Sequence, residues 1–201
     1  MAATDAWRRQ LPLALTWLRV ALVPVFVIVF YLPFQWARPL ACFLFALAGI
    51  TDFIDGYLAR KWGVVSKFGA FLDPVADKIM VAVALVLLVE VDPNRSVLLT
   101  LSAAVIIGRE ITVSALREWM AEEGLRSKVS VSWIGKTKTV LQMVAIGFLV
   151  YEYDTLIWPI ELLGLSIGVY ETGMLLLIIA AILTLWSMLD YLRNAMKAFQ
   201  D

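Results

Sequence analysis

Six stretches of the chain are apolar for about as long as a bilayer is thick. They run roughly over Leu11–Leu32, Pro39–Arg60, Phe68–Glu90, Ser96–Met120, Val131–Tyr151 and Gly173–Met196. A helix needs ~20 largely apolar residues to cross the hydrocarbon core. In lipid a helix also satisfies every one of its own backbone groups, which an open strand cannot do. The pattern therefore predicts an all-α, polytopic membrane protein with six transmembrane helices. Composition agrees: 62% of the residues are apolar, where a soluble domain has nearer half.

The segments between the runs are short. Pro33 to Pro39 reads as a turn, and so does Val91–Arg95, with Asp92, Pro93 and Asn94. Met1–Gln10 is polar, with Trp7, Arg8 and Arg9, and reads as an N-terminal interfacial segment ahead of one domain over residues 11–201. The run that follows is too long for a signal-peptide core, so no cleavable leader is expected. Residues 152–172 are aromatic and contain Pro159 and Gly164; a partial interfacial helix is one reading of them.

Positive charge gives an orientation. With six spans both termini share one side. On that side fall Arg8, Arg9, Arg60, Lys61, Lys67, Arg117, Arg126, Lys128, Lys136, Lys138, Arg193 and Lys197, with Arg19, Lys78 and Arg109 deeper in helices at the same end. Arg38 and Arg95 fall on the other. That bias predicts cytoplasmic termini.

Several chemistries are excluded early. The formal net charge is zero, so nothing global points to nucleic acid. There is no histidine, which removes the commonest general base and transition-metal ligand. The single Cys42 lies in an apolar run and allows no disulfide framework within one chain.

What remains conspicuous is a set of aspartates placed where lipid would forbid them unless they were needed. Asp52 and Asp55 close the second apolar run; Asp73 and Asp77 open the third. Spacings of three and four put each pair on one helical face. The short linker carries Gly63 and the next helix Gly69, so an antiparallel hairpin with the carboxylates facing each other is expected. Four clustered carboxylates stay ionised only with compensation. Hard divalent cations bound through oxygen supply it, and four carboxylates suffice for two ions. Gly56 and Ala59 lie on the face of Asp52 and leave a flat floor; Gly69 leaves a gap opposite; Arg60 can fork onto a phosphate. Together these describe a diphosphate site open to the cytoplasm. The plainer alternatives are salt bridges of these carboxylates with Arg60, Lys67 and Lys78, or a cation or proton relay.

The order Asp52-x2-Asp55-Gly56-x2-Ala59-Arg60-x8-Gly69-x3-Asp73-x3-Asp77 fixes eight positions over 26 residues. It resembles the signature of the CDP-alcohol phosphatidyltransferase family. The resemblance implies a six-helix membrane fold and a cytoplasmic site with two divalent cations, usually Mg²⁺, with Mn²⁺ the alternative. It implies transfer of a phosphatidyl group from CDP-diacylglycerol to an alcohol, with release of CMP. By the same resemblance Asp52, Asp55, Asp73 and Asp77 would be metal ligands, with Asp77 also the catalytic base. Gly56, Ala59, Arg60 and Gly69 would hold the CDP moiety, and Thr16 and Arg19 would help with nucleotide or diphosphate. Homodimers are common in the family. Gly147, Gly164 and Gly168 are candidates for close helix contacts, but none forms a small-xxx-small pair facing a partner.

The signature does not choose the acceptor. Cationic residues elsewhere bear on it: Arg109 inside the fourth run, with Glu110 on an adjacent face and not an obvious partner; Arg117 eight residues on; and Lys136 and Lys138 at the start of the fifth run. Converging cations beside a metal site suit an acceptor that carries its own phosphate. The segments Ile107–Glu110, Ser114–Met120 and Val131–Thr139, with Leu15–Arg19 and Thr184–Leu189, resemble the branch of the family that uses sn-glycerol 3-phosphate. That resemblance implies phosphatidylglycerol phosphate as product, with Arg109, Lys136, Lys138 and Arg117 on the acceptor. The alternatives are a sister enzyme using serine or inositol phosphate, and, from another class, a carboxylate-based cation transporter or a non-catalytic scaffold.

Overall fold

The computed structural model describes residues 2–62, 67–123, 133–151, 158–160 and 165–198. Six helices account for nearly all of them: α1 Ala2–Phe30, α2 Ala37–Trp62, α3 Lys67–Val91, α4 Val97–Glu122, α5 Trp133–Tyr151 and α6 Val169–Ala198. Five follow the expected runs to within about two residues at most of their ends. The first differs: α1 is one continuous helix from Ala2, so the polar N-terminal segment is its first turns rather than a separate element. The expected partial helix between α5 and α6 is not found among the described residues there. Instead Trp158–Ile160 (β1) and Leu165–Ile167 (β2) pair antiparallel, Pro159 opposite Ser166. A proline has no N–H to give a helix or a ladder, and a short edge strand tolerates it. α6 then starts at Val169, one turn ahead of the expected Gly173.

The α3–α4 turn shows how local chemistry sets these boundaries. The Asp92 carboxylate accepts from the backbone N–H of Asn94 at 3.1 Å and of Ser96 at 2.6 Å. Arg95 takes a left-handed backbone, φ 46°. Ser96 then caps α4, its hydroxyl accepting from Leu99 N–H. An aspartate, a proline and a capping serine thus stop one helix and start the next.

The described residues fall into two compact units, Met1–Leu87 with Val150–Glu152, and Leu88–Leu149 with Tyr153–Asp201. In the first, α1 packs along α2. Phe26 stacks near Phe30 and Phe45, centroids 5.9 and 6.2 Å away. The Arg38 guanidinium lies over the Phe30 ring, which joins the start of α2 to the end of α1. In the second, α4 packs on α6, and Gly173 of α6 comes close to Phe148 and Leu149 of α5.

Small residues are common inside, beside larger ones such as Phe26, Phe45 and Leu85, and bulky apolar residues are common outside. Buried positions are often alanine: Ala41, Ala48, Ala84, Ala103, Ala145 and Ala180 are all buried. Large apolar residues such as Ile28, Phe53, Leu98, Ile111, Ile182 and Trp186 are exposed. In water such a surface would aggregate; in lipid it is the solvent-facing side, and small residues let the helices approach. α2, α4 and α6 are long and apolar enough to cross a membrane on the described residues, over Ala37–Leu58, Val97–Glu122 and Val169–Lys197. Ala14–Phe30 and Lys138–Tyr151 are shorter apolar helical stretches. The protein is an integral membrane protein.

Candidate active site

The first unit gathers part of the predicted diphosphate site around a single guanidinium. Asp52 and Asp55 lie one turn apart near the end of α2, as their spacing requires. Arg19 of α1 donates from Nη1 to Asp52 Oδ1 at 2.9 Å and from Nη2 to Asp55 Oδ2 at 2.6 Å. The Arg19 side chain is 1% exposed, Asp55 4% and Asp52 43%. Thr16, one turn before Arg19, is buried as well. Burial of Thr16 and Arg19 rules out snorkelling to the headgroups as the reason they occur in the first apolar run. Thr51, just before Asp52, donates its hydroxyl to the carbonyls of Leu47 and Ala48 at 2.8 and 2.9 Å, so it supports the helix rather than the site.

The forked pairing settles one point of local geometry. A planar guanidinium meets two carboxylates at once only if they point the same way. It also shows that this corner of the protein accepts a positive charge between Asp52 and Asp55. Hard carboxylate oxygens on one face, one buried and one reachable from water, are a donor set that fits Mg²⁺ or Mn²⁺. Arg19 was expected on nucleotide or diphosphate; here it sits on the carboxylates, a pairing not anticipated from the sequence. Gly56 follows Asp55 on α2, partly buried. α3 carries Gly69, Asp73 and Asp77 in its first three turns. The side chains of Asp73, Asp77, Ala59 and Arg60, and the surroundings of Gly69, lie outside the described residues, and so does the 63–66 linker of the expected hairpin. Among the described residues no group of three or more potential metal ligands occurs.

The second unit holds the cationic residues. Arg109 of α4 pairs with Glu110, its own neighbour in sequence. This corrects the expectation that Glu110, on an adjacent face, is not an obvious partner: consecutive Cβ atoms diverge by about 100° around a helix, but both arms are long enough to curl together. Lys138, in the second turn of α5, is buried, and its Nζ donates to Ser187 Oγ of α6 at 3.2 Å. Among the described residues, the charged groups that act on Lys138 are Arg109, Glu110 and Arg117. Three of the four predicted acceptor-binding cations thus act on one another electrostatically, and among the described residues that influence Lys138 positive charge exceeds negative. The Lys136 side chain lies outside the described residues. Gln142, one turn after Lys138, and Thr184, one turn before Ser187, are buried too. The sequence reading passed over Ser187, Thr184 and Gln142 as functional candidates; the signal was polar residues at helical spacing inside otherwise apolar runs.

The sequence matches the model of the CDP-alcohol phosphatidyltransferase family over residues 9–189, and the chain belongs to that family. It is similar to proteins named CDP-diacylglycerol–glycerol-3-phosphate 3-phosphatidyltransferase. Those of Salmonella paratyphi A and Salmonella typhimurium are 52% identical over 186 residues, 92% of this chain and 94% of theirs. The Escherichia coli K12 relative is 51% identical over 192 residues, 96% of this chain and 98% of its own.

Proposed function

We propose that the protein transfers the phosphatidyl group of CDP-diacylglycerol to sn-glycerol 3-phosphate, giving phosphatidylglycerol phosphate and CMP. This is the activity of a bacterial phosphatidylglycerophosphate synthase. The observation that carries the reading is the similarity over more than nine-tenths of the chain to relatives whose names specify that acceptor. The surplus of cations around Lys138 supports it independently, because the acceptor's phosphomonoester carries about −1.5 to −2 charges at neutral pH.

In this reading all six helices span a bacterial inner membrane as one domain, with both termini and the site on the cytoplasmic side. The bias of positive charge towards that side supports the orientation. The lipid chains of the donor remain in the bilayer. Asp52, Asp55, Asp73 and Asp77 hold two divalent cations, Mg²⁺ or Mn²⁺. When bound, these neutralise the diphosphate and ease departure of CMP. Gly56, Ala59 and Gly69 leave room for the nucleotide, and Arg60 forks onto its phosphate. Thr16 and Arg19 help to hold the nucleotide or diphosphate, and Arg19 stands on Asp52 and Asp55. Arg109, Arg117, Lys136 and Lys138 hold the acceptor's phosphate. Asp77 takes the proton of the acceptor's primary hydroxyl. The oxygen attacks the phosphorus that bears diacylglycerol, and the bond from that phosphorus to CMP breaks. Direct in-line attack is favoured because no strong nucleophile stands in the signature. A homodimer is the proposed assembly.

The test is CMP release from CDP-diacylglycerol by purified protein in detergent with Mg²⁺, comparing sn-glycerol 3-phosphate, serine and inositol phosphate. Turnover with sn-glycerol 3-phosphate alone, lost on chelation, is expected. Turnover with another alcohol would keep the family chemistry and overturn the acceptor. No turnover from folded protein, with carboxylate-dependent cation flux in vesicles, would favour a transporter.

A further inference from the structure

The surroundings of Lys138 are incomplete as a purely structural arrangement. Its ammonium has three donors, and among the described residues it makes one hydrogen bond, to Ser187. A buried charge with spare donors is costly unless something meets it. Glu110, the acid that acts on Lys138 among the described residues, is already engaged by Arg109, and Arg109 and Arg117 add like charge. A further buried group waits beside this pair along α6: the Thr184 hydroxyl has no hydrogen-bond partner among the described residues. Burial, spare donors and surplus positive charge together describe a place where a dianion belongs. Ser187 is the one described side chain that fixes where the Lys138 ammonium sits.

We infer that Ser187 of α6 is a positioning residue for the acceptor: it accepts from Lys138 and so aims the remaining ammonium donors at the acceptor's phosphomonoester. The inference rests on the reading that Lys138 belongs to the acceptor site. It adds α6 as a third contributor, beside α4 and α5, and it gives the hydroxyl a role that chemistry on the phosphatidyl donor does not share. A flexible four-carbon lysine arm samples many rotamers. One accepted hydrogen bond from a charged donor is enough to select among them, at a scale of about tenfold in affinity.

The experiment is steady-state kinetics on full-length protein in detergent, varying sn-glycerol 3-phosphate and CDP-diacylglycerol separately. The variants are Ser187→Ala, Ser187→Thr, Lys138→Ala and the Lys138→Ala/Ser187→Ala double. Ser187→Ala is expected to raise KM for sn-glycerol 3-phosphate about tenfold, with kcat and KM for CDP-diacylglycerol within about twofold. Ser187→Thr keeps the hydroxyl and should restore most of the loss. In the double variant the Ser187 substitution should add nothing to the loss from Lys138→Ala, because it acts through that lysine. Should Ser187→Ala fail to fold, Ser187→Cys keeps the volume with a weaker acceptor and should give the same selective rise. A rise from Lys138→Ala alone, with none from Ser187→Ala or Ser187→Cys, overturns the positioning role and leaves the acceptor site standing. No rise from Lys138→Ala overturns the site itself. Equal losses for both substrates would mark Ser187 as merely structural.

Discussion

Replacing Arg19 by methionine tests the charge logic at the carboxylate pair most directly. Methionine keeps much of the length and apolar stem and removes the fork. Asp55, 4% exposed, then keeps its charge in a buried place with the partner gone. Breaking a buried pair in this way costs about 3–5 kcal/mol, because the surviving carboxylate loses its guanidinium. Asp52, 43% exposed, is screened by water, so losing that arm adds at most about 1 kcal/mol. For a chain of about this length each kcal/mol moves Tm by roughly 2–4 °C. The variant should therefore melt about 10 °C below the parent in detergent with EDTA. If the same carboxylates hold divalent cations, Mg²⁺ supplies the missing charge, so the gap should narrow clearly on adding it. The assay is tryptophan fluorescence on heating, each protein with chelator and with Mg²⁺, in one detergent at one concentration. Equal melting of the two proteins in EDTA would refute the argument that Arg19 compensates Asp55. A gap of the same size with and without Mg²⁺ would refute the idea that cation and guanidinium meet the same two carboxylates.

Three further outcomes follow. Asp77→Asn should abolish CMP release while leaving the far-ultraviolet circular dichroism of the helices unchanged; near-normal turnover would remove Asp77 as the base. Gly173→Ala sets a Cβ 3.0 Å from Phe148 Cβ and Leu149 Cγ, and Phe148 Cβ is fixed to its backbone, so a loss of about 1–3 kcal/mol is expected on heating. Asp92→Ala removes the acceptor for two backbone donors at the α3–α4 turn, and should cost about 1–3 kcal/mol in the same melt.

The helices were legible because lipid leaves the chain few choices: a run of ~20 apolar residues must be a helix, and polar turns mark its ends. Ser96 was read as the fourth start and caps it. The stretch around Pro159 was not legible, because strands of three residues leave no periodicity to detect. The placement of Asp52 and Asp55 on one face followed from their spacing. The attachment of Arg19 to the aspartates did not emerge, since 36 residues separate it from Asp55 and no local pattern spans that gap. A signal was present all the same: an arginine inside an apolar run demands an acid at its own depth, and Asp52 and Asp55 were the acids at that end of the next helix. Arg109 was misjudged for the opposite reason. Its partner was adjacent, and helical angles alone understate the reach of long side chains.

The bulky apolar surface has an evolutionary corollary. In a water-soluble protein the interior resists change and the outside drifts. Here buried alanines such as Ala41, Ala84 and Ala145 sit in a packed interior, where a larger side chain costs about 1–3 kcal/mol. Outward positions such as Ile28, Leu98 and Ile182 face a liquid that accepts leucine, valine or phenylalanine alike. Homologous chains should therefore be free to exchange bulky apolar residues for one another on the outside, while small ones are held fixed within.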